Sequence, residues 1–163
     1  MEKPSASANV GFNGDFYRFT TMSRGMLGYA EPSVSPCFLA PFVDNEALGN
    51  ALRNALSESR LVSAEEFQKI FHSGIVQELE KKRDVEAMKT YGYKTKRALY
   101  EKMDFCSVSL FEHQIEIQPT HKKSLDGWTV KRDEGPFSLY VPKSAADEEL
   151  GAALREGFTR CTR

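Results

Sequence analysis

Residues 46–60 read EALGNALRNALSESR and residues 148–162 read EELGAALREGFTRCT, so the chain uses one segment twice, 102 positions apart. In register, Leu48 meets Leu150, Gly49 meets Gly151, Ala51 meets Ala153, Leu52 meets Leu154, Arg53 meets Arg155 and Leu56 meets Phe158. The first copy places Leu48, Ala51, Leu52, Ala55 and Leu56 on one helical stripe, and the second repeats it with Leu150, Ala153, Leu154, Gly157 and Phe158. This is the spacing of a helix buried on one side. A glycine inside a helix costs about 1 kcal/mol against alanine, so Gly49 and Gly151 predict that a sheet or a second helix approaches the backbone there. A short apolar run precedes each helix, Cys37 to Pro41 in one case and Phe137 to Pro142 in the other, and both read as strands. Two related strand, loop and helix units are therefore expected, with the middle of the chain inserted between them.

At 163 residues the chain is long enough to bury a core without disulfides or metals. Charged residues make up 28% and apolar residues 40%, with a net charge of −1, which fits a globular domain and gives no global bias toward nucleic acid. Cys37, Cys106 and Cys161 are odd in number and lack a CxxC spacing, so neither a disulfide framework nor a zinc site is indicated. The opening residues lack a secretory signal and no apolar run spans a membrane. A cytoplasmic location is expected.

Residues 1–14 are small and polar and are expected to be a flexible N-terminus, followed by a single domain over 15–163. FYRFTTM (16–22) reads as a strand, Ser23-Arg24-Gly25 as a turn, and Met26 to Ala30 as the return of a hairpin. Ser63 with Glu66 forms a capping-box pattern for a helix through Phe71, and Gly74 breaks or bends that helix. Ile75 to Thr90 predicts a solvated helix. From Lys81 to Lys102 there are eight Lys or Arg residues against three acids, interleaved with Tyr91, Tyr93 and Tyr100. That mixture suits either RNA stacking or a charged helix face whose tyrosines anchor it to the core. Asp104 to Leu110 and Gln114 to Gln118 read as paired strands, and Asp126-Gly127 as the turn of a hairpin carrying Trp128. The sum is an α/β domain in the broad sense: a mixed sheet of about five to seven strands flanked by four or five helices.

Catalytic chemistry leaves no signature. His72, His113 and His121 are scattered without metal-ligand spacing, and no cofactor motif is present. Asp44 to Glu46 and Asp147 to Glu149 stand at the starts of the repeated helices, where capping and the helix dipole account for them. A small hydrolase whose site assembles only in the fold stays open as a reading, as does an RNA-binding module using residues 81–102.

Taken together, TTMSRG (20–25), LGNAL (48–52), SESR (57–60), YGYKTKR (91–97), IEIQP (115–119), LGAAL (150–154) and Arg160-Cys161 resemble the contact-dependent growth inhibition (CDI) immunity proteins of the CdiI type. The resemblance runs from about Phe16 to the end and rests on the order of the motifs. It implies a small cytosolic protein, without enzymatic activity or cofactor, that binds one-to-one and blocks the C-terminal toxin domain of a surface effector, commonly a nuclease and often one acting on tRNA. Inhibitors of nucleases answer a basic cleft with carboxylates and an aromatic anchor. On that ground the expected contact residues are Glu112, Glu116, Asp126, Trp128, Asp133 and Glu134.

Overall fold

The computed structural model describes residues 2–131 and 133–163. In chain order the elements are β1 (Ala6–Phe12), β2 (Tyr17–Arg24), β3 (Gly28–Ala30), β4 (Cys37–Leu39), α1 (Asn45–Ser57), α2 (Ala64–Ser73), α3 (Ile75–Tyr91) and α4 (Lys96–Tyr100), then β5 (Asp104–Leu110), β6 (Gln114–Pro119), β7 (His121–Ser124), β8 (Gly127–Thr129), β9 (Leu139–Pro142) and α5 (Asp147–Arg160). A seven-stranded sheet runs β3-β2-β1-β5-β6-β9, with β4 also pairing with β2, and β7-β8 forms a separate hairpin. Every pairing between these strands is antiparallel. Among the described residues, parallel contact is confined to the isolated bridges Arg24 with Leu61 and His121 with Thr162.

The repeat is larger than its helices. Asn9 pairs with Ser107 at the centre of the sheet, Phe19 and Ile117 occupy matching inner positions on β2 and β6, and Leu39 and Val141 pair with Tyr17 and Ile115 at the outer strands. Each half is thus a strand-strand-strand-helix unit, related to the other by a pseudo-two-fold axis between β1 and β5. The two helices cross at their glycines: a Cβ on Gly49 would lie 1.9 Å from the Asp147 carbonyl oxygen, and one on Gly151 would lie 1.8 Å from that of Asn45. Arg53 reaches Asp147 and the Lys143 and Ala145 carbonyls, while Arg155 reaches Asn45 and the Pro41 and Val43 carbonyls. Every partner of Arg155 is the partner of Arg53 shifted by 102 positions. Each arginine thereby satisfies orphan carbonyls of the loop that enters the opposite helix.

The helical stripe packs on one sheet face with Ala8, Val10, Phe19, Cys106, Val108, Ile115, Ile117 and Val141. Residues 6–12 depart from the sequence expectation. Instead of a frayed end they form β1, the strand between β2 and β5. Ala6, Ala8, Val10 and Phe12 face the core, and Gly11 packs closely under Met103, whose sulfur would lie 2.9 Å from an added Cβ and would have to shift. Other local signals act as read. The Ser63 hydroxyl accepts the Glu66 N–H at 3.1 Å, although the Glu66 carboxylate turns to Arg60 and leaves the capping box half formed. Gly74 and Gly92 end α2 and α3 at φ 74° and 77°, in the left-handed region that glycine adopts freely.

Glu31 illustrates how a buried carboxylate is made tolerable. It is 1% exposed and accepts hydrogen bonds from the Ser23 and Ser33 hydroxyls, the Ser33 N–H and the Arg60 guanidinium. Burial alone pushes its carboxyl up, but those four donors outweigh it and hold the group at about 2, against an ordinary 4.5. Because the folded-state value is depressed, the associated stability is present above about pH 4.5 and is lost as the pH falls toward 2. The loss amounts to up to about 3 kcal/mol. Urea melts between pH 6 and pH 2.5 should show that loss in the wild type and a flatter profile in Glu31→Gln, which starts less stable at neutral pH. Parallel profiles would sink this account.

Candidate functional site

The helices cover one sheet face; the other is covered only in part. Phe16, Ala87, Leu99, Tyr100 and Met103 build a second, smaller core there, with Phe38, Met88, Tyr93, Leu125 and Trp128 at its margin. An ion pair fastens it to the sheet. Arg18 lies 3.1 Å from Asp84 of α3, and the Tyr100 hydroxyl donates to the same carboxylate at 2.5 Å. Burial, followed by the bond to Asp84, pushes the Tyr100 hydroxyl up to about 12 against the pull of Arg18.

Beyond this cover the alternation of β1, β2, β5, β6 and β9 leaves Asn9, Thr20, Met22, Ser107, Ser109, Glu116, Gln118 and Tyr140 on the face away from α1 and α5. Two recesses form on it. One, of about 260 Å³, lies between α3 and the hairpin and includes Thr20, Met22, Val76, Glu80, Asp126 and Trp128. The other lies beside β6 and β9 and is lined by Glu116, Gln118, Val130, Phe137, Ser138 and Tyr140. Phe137 is 62% and Tyr140 58% exposed, which is high for aromatic side chains flanking a carboxylate. The Glu116 carboxylate accepts the Tyr140 hydroxyl at 3.1 Å and lies 2.8 Å from the Ser138 hydroxyl. The bond to Glu116 raises the Tyr140 hydroxyl above its ordinary value. A second Glu116 oxygen is free of these bonds. The recess therefore holds a carboxylate together with two exposed aromatic side chains, a combination suited to a cationic side chain.

The residues expected from sequence are distributed over this surface. Glu116 lines the second recess. Asp133 and Glu134 are exposed in the loop that leads into it, with Glu134 3.4 Å from Lys131. Glu112 is exposed at the β5-β6 turn beside His113. Asp126 belongs to the first recess, where Lys96 at 2.9 Å lowers its carboxyl. Trp128 is half-buried: it stacks on Phe105 with centroids 4.8 Å apart and donates its indole N–H to the Met103 carbonyl. It holds the hairpin to the sheet and shows the recess one edge. Phe137 and Tyr140 were missed by sequence reasoning. Their signal is that Tyr140 shares strand parity with Glu116, which becomes visible only once β9 is paired with β6.

Other candidates do not assemble. The tyrosines among the basic residues are all packed or bonded against the fold, although Tyr91 stays partly open to solvent. Tyr100 is buried, Tyr93 is bonded to Asn13 and Asp15, and Tyr91 packs on Phe16 with centroids 4.5 Å apart. Tyr100 and Tyr93 are thus engaged inside the fold rather than offered to bases, and Tyr91, 38% exposed, is packed on one side by Phe16. Among the described residues no three His, Cys, Asp or Glu side chains are grouped to hold a metal, and no helix is long and apolar enough to cross a membrane.

The family model described as CDI immunity protein, CdiI, matches residues 6–161. The immunity protein CdiI-YPIII of Yersinia pseudotuberculosis is 31% identical over 96% of both chains. A solved CdiA-CT/CdiI toxin and immunity complex from Yersinia pseudotuberculosis contains a chain with the same fold, at TM-score 0.89 and 27% identity, covering 99% of this chain and all of that one. A protein of unknown function from Neisseria meningitidis shares the fold at TM-score 0.88 with 23% identity over 99% of each chain. The match extends from β1 through the repeated helix to Cys161, so the chain belongs to the CdiI family of CDI immunity proteins.

Proposed function

We propose that this chain binds the C-terminal toxin domain of its cognate CDI effector one-to-one in the cytosol, and that the toxin is a nuclease, in the narrower case a tRNase. The reading rests on the full-length likeness to an immunity chain solved together with a CdiA-CT toxin. The nuclease assignment draws on the recess beside β9. Glu116 in one recess with Phe137 and Tyr140 suits an arginine or lysine, the side chains with which nucleases hold phosphates. Glu112, Asp133 and Glu134 are exposed and in this reading act at the rim, where charge contributes to steering and specificity more than to affinity. The central contacts are Phe137, Tyr140 and Glu116. Asp126 and Trp128 form the far margin.

Co-expression with the effector domain encoded beside this chain tests the reading. Restored growth, a nanomolar one-to-one complex and intact tRNA are the expected result. Growth arrest with no complex would overturn the immunity assignment for that pair. Rescue of a toxin that leaves nucleic acids intact would overturn the nuclease assignment alone.

A further inference from the structure

A second surface lies at the sheet edge opposite β9. Met26, Leu27, Leu61 and Phe71 are 57%, 64%, 64% and 54% exposed. They belong to neighbouring segments. The β2-β3 turn sits directly on α2, since a Cβ on Gly25 would come within 2.5 Å of the Phe67 side chain. The Gln68 amide meets the Met26 sulfur at 3.9 Å, Leu61 bridges to Arg24, and Phe71 stacks on Phe67 with centroids 6.1 Å apart. Four large apolar side chains displayed together mark a contact surface rather than scattered exposure. In the strand order β3 and β9 are opposite ends, so this surface is separate from the recess around Glu116.

The pattern along α2 identifies the occupant. Ala64, Gln68 and Phe71 share one helical face, at i, i+4 and i+7, and Glu65 and His72 flank it. Acids stand at the N-terminal end, Glu65 and Glu66, and bases toward the C-terminal end, Lys69 and His72. An antiparallel copy of the same helix places Phe71 on the small Ala64 and Glu65 against Lys69 and His72, twice over, by the two-fold symmetry of an isologous contact. Within one chain the Glu65–Lys69 pair is 3.7 Å long and its side chains are 83% and 77% exposed, so both are free to exchange partners. We propose that this face pairs with itself, α2 antiparallel to α2, in a two-fold homodimer that leaves the β6-β9 recess open. A contact built on one ten-residue helix and one turn belongs with the small interfaces, and the dimer is expected to dissociate in the micromolar range.

Sedimentation equilibrium of the full chain from about 5 to about 500 µM, at low salt, tests this directly. The average mass should climb from 18.4 kDa toward twice that value. Phe71→Glu, and independently Leu27→Glu, should weaken association more than about tenfold while the thermal melt is retained. The charge pattern supplies a stricter arm. Glu65→Lys alone and the Lys69→Glu/His72→Glu double variant should each fail to self-associate, and an equimolar mixture should pair, because both of its contacts are then complementary. A monomer throughout the range, association unaffected by both glutamate variants, or a mixture that stays monomeric would each overturn the proposal. So would a monomeric wild type whose Phe71→Glu variant loses the toxin, which would assign the face to that partner.

Discussion

Gly151→Ala should destabilise the fold by about 3 kcal/mol, and Gly151→Leu should prevent the two halves from docking. The added Cβ would stand 1.8 Å from the Asn45 carbonyl oxygen. That atom belongs to the backbone and, unlike a side-chain end, cannot rotate away. Relief requires α1 and α5 to separate, which opens the layer holding Leu48, Leu52, Leu150 and Leu154, all with no exposure. Overpacking a well-filled core costs about 1–3 kcal/mol and sometimes more, and the gain of about 1 kcal/mol in helix propensity does not reverse the sign. For a domain of this size the expected fall in Tm is roughly 6–12 °C.

The pseudo-two-fold adds an internal check, because Gly49→Ala meets the Asp147 carbonyl at 1.9 Å and should be about as damaging. Gly157→Ala meets the Ile117 methyl at 2.9 Å and should cost less, since a side chain can give way. Thermal melts of the three variants should order them accordingly. Gly151→Ala melting together with the wild type would show that the helices do not cross at the glycines.

Binding of the toxin should fall by at least about 30-fold in Phe137→Ala and in Tyr140→Ala, with stability little changed. Both rings are more than half exposed, so truncation removes little from the fold. Aromatic anchors at the centre of an interface account for about 2 kcal/mol or more each, and about 1.4 kcal/mol is tenfold in affinity. Tyr140 has a further role, since its hydroxyl orients the Glu116 carboxylate. Tyr140→Phe keeps the wall and loses the bond, so it should weaken binding less than Tyr140→Ala. Trp128→Ala is the contrasting case. It removes the stack on Phe105 and the bond to Met103, and should lower Tm as well as affinity. Calorimetric titration of the purified pair reads all of these. If Phe137→Ala and Tyr140→Ala both bind as the wild type does, the interface lies elsewhere on the surface.

The parts that depend on nearest neighbours were readable from residues alone. The i, i+3, i+4 stripe of the repeated helices, the glycine ends of α2 and α3, the Ser63 cap and the alternation of Gln114 to Gln118 are set within a turn or two of chain. The repetition at 102 positions also showed that two units exist, and the glycines in both copies showed that something packs close. What the glycines meet was decided by tertiary structure, because the contact joins Gly151 to the carbonyl of Asn45, from the opposite half of the chain.

Residues 6–12 show the same limit. Their small, polar composition has weak intrinsic strand preference, and their place between β2 and β5 overrides it, since strand propensity mostly reports context. The candidate site follows this rule too. Its carboxylate, Glu116, was legible from strand parity, whereas the exposure of Phe137 and Tyr140 depends on β9 being the last strand of the sheet and pairing in register with β6. Local periodicity carries the elements and their buried faces; long-range pairing decides which aromatic side chains remain uncovered.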